Sequence, residues 1–128
     1  MIYVARNPKD VVVSYYHHHK LTKSMDQDMK FKDFIKFFMK ELLVEDPYMV
    51  HVQEGVSLQK NPNLKFLWYE DMKRDLQSSI KVVSNFLGKE LKESEVNALA
   101  EYLEFDNMKK NPAVNHQDRH DRFVCDNL

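Results

Sequence analysis

The residues best suited to chemistry come at the start of the chain, in Ile2-Tyr3-Val4-Ala5-Arg6-Asn7-Pro8-Lys9-Asp10, with Ser14 a short way on. Arg6 is a permanent cation with a forked donor set that matches phosphate or carboxylate oxygens. It directly follows an apolar, β-branched and aromatic run that predicts a buried strand. It directly precedes a helix start, with Asn7 as cap, Pro8 at the first helical position and Asp10 in the first turn. Ligands of open α/β sheets bind at such hinges, at the carboxyl ends of strands. An anion-binding role for Arg6 is one reading, and a pairing of Arg6 with a neighbouring carboxylate is the other.

Two histidine groups invite a metal reading, and neither supports one. His17, His18 and His19 are adjacent, and neighbours on a helix point about 100° apart, so they cannot converge on one ion. They are expected at a helix surface or a cleft edge, where one could touch a ligand. His116 and His120 stand four apart with Cys125 nearby, but that segment lacks the apolar support that preorganises a site. No metal is expected.

The elements that position these residues follow from periodicity and from turn residues. The first helix runs from Asn7 to about Leu21, with Val11, Val12, Tyr15 and His19 at helical spacing. A polar loop covers Thr22 to Lys30. Phe31, Phe34, Ile35, Phe38 and Leu42 then form the clearest amphipathic helix, which Phe37 and Met39 widen so that burial on more than one side is expected. Asp46-Pro47 opens another helix, with Val52, Val56 and Gln59 on one side. Asn61-Pro62-Asn63 is a turn, and the strand of residues 64–69 ends in Tyr69 with Glu70 and Asp71 behind it. Asp75 caps a helix with Leu76, Ile80, Val83 and Leu87 on its apolar stripe, and Gly88 terminates it. A further helix carries Val96, Leu99, Ala100 and Leu103. Residues 106–128 are expected to form an extended or disordered tail. Two strands alternating with helices give an α/β class, mostly helical, with two parallel core strands at about residues 2–6 and 64–69.

Whole-chain quantities narrow the function. A length of 128 residues fits one domain or part of one, and 43% hydrophobic with 30% charged residues fits a globular chain. The formal charge of −1 argues against binding nucleic acid or a membrane surface through net charge. One cysteine excludes an intrachain disulfide and suits a reducing compartment, hence the cytoplasm. No apolar run approaches a membrane span. The two glycines, Gly55 and Gly88, do not make a glycine-rich phosphate loop. A buried-type strand beginning at residue 2 leads to the expectation that the chain has lost its front. A count of two strands leads to the expectation that the missing strands lie upstream, in a partner, or nowhere.

Taken together, the two strand-to-helix hinges resemble the cytosolic sulfotransferases. Tyr3-Val4-Ala5-Arg6-Asn7-Pro8-Lys9-Asp10 with Ser14-Tyr15-Tyr16 is similar to that family's nucleotide-binding strand and helix. Trp68-Tyr69-Glu70-Asp71-Met72 with Phe86-Leu87-Gly88 is similar to a second signature, and Met108-Lys109-Lys110-Asn111-Pro112 to a third, in the right order across nearly the whole chain. The resemblance implies a partial P-loop-NTPase-like sulfotransferase fold, a central to C-terminal portion truncated at both ends. It implies sulfuryl transfer from the co-substrate 3′-phosphoadenosine 5′-phosphosulfate to a hydroxyl or amine of a small molecule such as a phenol, alcohol, steroid or amine. Arg6 and Ser14 would bind the 3′-phosphate, Tyr69 would lie against the adenine, and Phe105 is a similar candidate. For Tyr69 and Phe105 the competing reading is plain core packing.

The sequence also departs from the family pattern. The phosphate loop with its lysine, the histidine that acts as general base and the C-terminal Arg-Lys-Gly motif are not in these 128 residues. No catalytic residue is therefore assigned, and the chain alone is expected to be inactive. Gly55 stands in place of a tryptophan and is expected to loosen helix packing, and Leu103 replaces a small hydroxyl residue near the adenine. The alternative reading is a non-catalytic truncated paralogue that binds nucleotide or a partner.

Overall fold

The computed structural model describes residues 1–43 and 47–115. The chain divides into two compact units, Met1–Glu70 and Asp71–Leu128, and each is described by itself.

The first unit is built on two parallel strands, β1 (Ile2–Ala5) and β2 (Lys65–Trp68), paired Ile2 to Lys65, Tyr3 to Phe66, Val4 to Leu67 and Ala5 to Trp68. Three helices, α1 (Pro8–Leu21), α2 (Phe31–Met39) and α3 (Tyr48–Ser57), make the crossover between them. Parallel strands cannot be joined by a tight turn and need such a connection. The start of α1 is locally determined: Asn7 Oδ1 accepts the Lys9 N–H at 3.0 Å and Pro8 opens the helix.

Phe34 and Phe38, buried with Val12, form the core of this unit. Tyr15 and Tyr16 of α1 meet the Phe34 ring edge-on at centroid distances of 6.0 and 5.4 Å, an arrangement that the ring quadrupoles favour. His19, from the predicted apolar face, is buried here too, its Nδ1 2.6 Å from Ser24 Oγ. His17 and His18 are exposed.

Four expectations for this unit are corrected. Helix α2 stops at Met39, leaving Leu42 outside it and exposed. Glu41 takes a positive φ of 56°, and the N–H groups of Glu41 and Leu42 return to the carbonyls of Phe38 and Phe37. These bonds close the helix in a Schellman motif without glycine. Phe37 and Met39 are exposed, because one stripe of this helix faces the core. On α3 the inward residues are Tyr48, Val52 and Gly55, whereas Val56 and Gln59 are exposed. Gly55 does not loosen the packing. A Cβ there would stand 2.9 Å from Tyr3 Cε1 and 3.2 Å from Phe66 Cε2, so its absence lets α3 lie directly on the rings of both strands. Asp46, expected to cap α3, lies outside the described residues.

Helix α4 (Tyr69–Arg74) follows β2 without a break. The second unit continues with α5 (Leu76–Phe86), α6 (Glu93–Tyr102), α7 (Phe105–Lys110) and α8 (Pro112–Asn115). Asp75 caps α5 through Oδ1, which accepts the Ser78 N–H at 2.9 Å. Gly88, at φ 65°, ends α5 with bonds from Gly88 and Lys89 to Asn85 and Ser84. Helix α6 packs against α5 through the fully buried Val96, and Lys81 pairs with Glu93 at 2.9 Å. Of residues 106–128, expected as an extended or disordered tail, the described part forms α7 and α8 with the extended Asn111 between them. Asp106 in the first turn and Lys109 and Lys110 in the last suit the dipole of α7, and Pro112 opens α8. His116, His120 and Cys125 lie outside the described residues.

Candidate functional site

At the carboxyl end of β1 the backbone leaves the sheet and enters α1, and Arg6 occupies the junction. A cleft of about 350 Å³ opens beside it, lined by Arg6, Val11, Ser14, Tyr15, His18, Phe38 and Tyr48. Arg6 and Ser14, the two residues assigned to an anion, thus share one cavity. Val11, Tyr15 and Phe38 supply apolar walls, and His18 stands at a cleft edge, as expected for one of the histidines.

Arg6 Nε is shielded from solvent and has no hydrogen-bond acceptor among the described residues. Asp10 Oδ2 lies 4.0 Å away, beyond hydrogen-bond reach. Both side chains are substantially solvated, and an ion pair of that kind contributes about 0–1 kcal/mol. The carboxylate pairing anticipated as the other reading of Arg6 is present but weak. It leaves the guanidinium able to accept an anion with better-placed oxygens.

The second hinge meets the first. Tyr69, the residue after β2, has its ring 4.5 Å from Arg6 Cζ, centroid to atom, in a cation–π contact. Glu70 Oε1 accepts the Asn7 N–H at 2.7 Å. That bond holds the Glu70 carboxyl below the usual carboxylate range, with the positive charge of Arg6 acting in the same direction. From α3, the Tyr48 hydroxyl donates to the Arg6 carbonyl. Tyr48 ionises above the usual phenol range because burial disfavours its charged form. Phe105 belongs to the second unit. It is exposed at the start of α7, with Lys73 Nζ 5.2 Å from its ring centroid.

Of the predicted site residues, Arg6 and Ser14 line one cleft, Tyr69 contacts Arg6, and Phe105 is described only within its own unit. Sequence reasoning missed Tyr48 and the role of Glu70. No local pattern marks a tyrosine 42 positions from its partner. The acidic pair behind β2 was visible as composition, but its backbone partner 63 positions away was not. Among the described residues no group of histidine, cysteine, aspartate and glutamate side chains could hold a metal ion. No helix among them is long and apolar enough to cross a membrane.

Comparison with known proteins places the chain in a family. The family model described as the sulfotransferase domain matches residues 1–125. The luciferin sulfotransferase of Photinus pyralis is 43% identical over 119 residues, which is 93% of this chain and 32% of that protein. The amine sulfotransferase of Oryctolagus cuniculus is 36% identical, over 91% of this chain and 38% of that protein. Among solved structures, retinol dehydratase in complex with androsterone and the inactive cofactor PAP aligns with a TM-score of 0.89 at 40% identity, covering 94% of this chain and 35% of that one. Mouse sulfotransferase SULT7A1 complexed with PAP aligns at 0.80 and 32% identity, covering 86% of this chain and 40% of that one. The chain spans roughly a third of the length of these relatives. A family match over nearly every residue, joined to the same fold at these identities, establishes that the chain belongs to the sulfotransferase domain family.

Proposed function

We propose that this chain carries the 3′-phosphate half of the nucleotide site of a sulfotransferase. The whole domain would transfer a sulfuryl group from 3′-phosphoadenosine 5′-phosphosulfate to the hydroxyl or amine of a small-molecule acceptor. The observation that carries the reading is the cleft at the β1–α1 hinge, where Arg6 and Ser14 line one cavity in a chain matched by the sulfotransferase domain over residues 1–125. The residues fit such an anion, because the shielded Arg6 Nε has no acceptor among the described residues. PAP in two similar structures supports the choice of nucleotide.

In this reading the nucleotide brings the sulfuryl group on its 5′ side, and this chain grips the other side. Arg6 contributes charge and a two-pronged donor to the 3′-phosphate, and Ser14 contributes one hydroxyl donor. Tyr69 offers its ring to the adenine while its contact with the guanidinium holds Arg6 in place. Phe105 is assigned a second aromatic contact to the base. Transfer needs electrostatic stabilisation of the moving group and a base for the acceptor's proton, and the motifs that supply them are not in these 128 residues. The isolated chain therefore binds nucleotide without turning it over. The acceptor class follows the relatives, whose names include a luciferin and an amine sulfotransferase, and the compartment is the cytoplasm. The test is calorimetry of the purified chain with 3′-phosphoadenosine 5′-phosphate, beside a turnover assay with the sulfuryl donor and a phenol. The reading expects binding without turnover. Absence of binding overturns the half-site, and turnover above background overturns the inactivity.

A further inference from the structure

Arg6 is held through its backbone in a way that its role as an anion ligand does not require. The Arg6 carbonyl and the Asn7 N–H belong to one peptide unit, and partial double-bond character keeps them coplanar. Both polar groups of that unit are bound by side chains. The Tyr48 hydroxyl, from α3, donates to the carbonyl, and Glu70 Oε1, from the start of α4, accepts the N–H at 2.7 Å. Neither group is used by regular structure, since β1 ends at Ala5 and α1 begins at Pro8. The two clamps come from two separate elements, both far downstream in sequence. Two bonds to one rigid plane fix its rotation, and with it ψ of Arg6 and φ of Asn7. The first sets where the Arg6 backbone turns away from the strand. The second starts α1, the helix that carries Ser14.

We infer that Tyr48 and Glu70 are positioning residues: they clamp the Arg6–Asn7 peptide, so that Arg6 and Ser14 face one anion. This rests on the nucleotide reading of the preceding subsection. Glu70 also places a carboxylate near Arg6, a charge that opposes anion binding, so its service to the site runs through its bond to the backbone. Since the contacts are to backbone, changes at Tyr48 and Glu70 act on affinity through the orientation of Arg6 and Ser14.

The test uses Tyr48→Phe, Glu70→Ala and Glu70→Gln in the 128-residue chain, with binding of 3′-phosphoadenosine 5′-phosphate by calorimetry and exchange of the Asn7 amide by NMR. Circular dichroism serves as the check on folding. Tyr48→Phe removes only the hydroxyl, and Glu70→Gln keeps an oxygen acceptor. The expected result is binding about tenfold weaker in Tyr48→Phe and Glu70→Ala, faster Asn7 exchange in Glu70→Ala, and substantial rescue of both in Glu70→Gln. Wild-type affinity in folded Tyr48→Phe and Glu70→Ala overturns the inference while the half-site stands. If wild type itself does not bind, the half-site falls, and the clamp is decided by exchange alone: unchanged Asn7 exchange in Glu70→Ala overturns it, and faster exchange supports it.

Discussion

The guanidinium of Arg6 lies against the ring of Tyr69, 4.5 Å from its centroid, so the residues just beyond the two parallel strands end in direct contact. Their strands are in register, Ala5 opposite Trp68, and the next residue of each therefore arrives at the same point. Cation–π contacts at partly exposed sites contribute about 0.5–1 kcal/mol, enough to bias a long side chain towards one orientation.

Tyr69→Phe should retain nucleotide binding, because the ring that faces Arg6 is kept. Tyr69→Ala should weaken it by about fivefold to tenfold through loss of the contact and of the base platform. A double-mutant cycle of Arg6→Ala with Tyr69→Ala should give non-additive binding energies. Full additivity would mean that the two residues act separately.

Gly55→Ala sets two effects against each other. Alanine favours a helix interior over glycine by about 1 kcal/mol. The added Cβ, however, would stand 2.9 Å from Tyr3 Cε1 and 3.0 Å from Cζ. That ring is stacked on Phe66 and its hydroxyl is 2.7 Å from His51 Nδ1, so it cannot move aside cheaply. Overpacking of this kind costs about 1–3 kcal/mol, and the variant should be less stable than wild type in urea unfolding. Stabilisation would show that α3 shifts freely on the sheet.

Stability should fall at both ends of the pH range, for different groups. Glu70 and Asp75 have carboxyl pKa values below the usual range, through bonds from the Asn7 N–H and from the Ser78 hydroxyl and N–H respectively. Their contribution is present above the unfolded carboxylate range and is lost as pH falls through the lowered folded values. Tyr3 and Tyr48 are raised, chiefly by burial. Their contribution is complete below the unfolded phenol range, near 10, and is lost as pH rises through the folded values. Thermal melts should show the acid loss reduced in Asp75→Asn and the alkaline loss reduced in Tyr48→Phe. Unchanged pH profiles in both variants would contradict these assignments.

How much of this could be read in advance depended on how local the cause was. The Asn7 cap with Pro8, the Asp75 cap and the Gly88 terminus rest on contacts a few residues apart, and each stands where its residue type predicts. The Phe34 and Phe38 face follows from a helical period. Two further helix ends use Lys23 and Glu41 at positive φ, which no glycine announces. The residues that complete the hinge, Tyr48 and Glu70, act on backbone groups far away in sequence, and neither periodicity nor composition carries that information. Ser14 came from family resemblance, and the cleft it shares with Arg6 depends on how α1 leaves the strand.

The central claim, that the β1–α1 hinge is a phosphate-binding half-site, is tested most directly by titrating 3′-phosphoadenosine 5′-phosphate into the wild-type chain and into folded Arg6→Ala by calorimetry. The account predicts measurable heat for wild type, binding weakened at least about tenfold in Arg6→Ala, and partial recovery in Arg6→Lys, which keeps charge but not the fork. Equal binding by wild type and Arg6→Ala, or no binding by the wild-type chain, would contradict it.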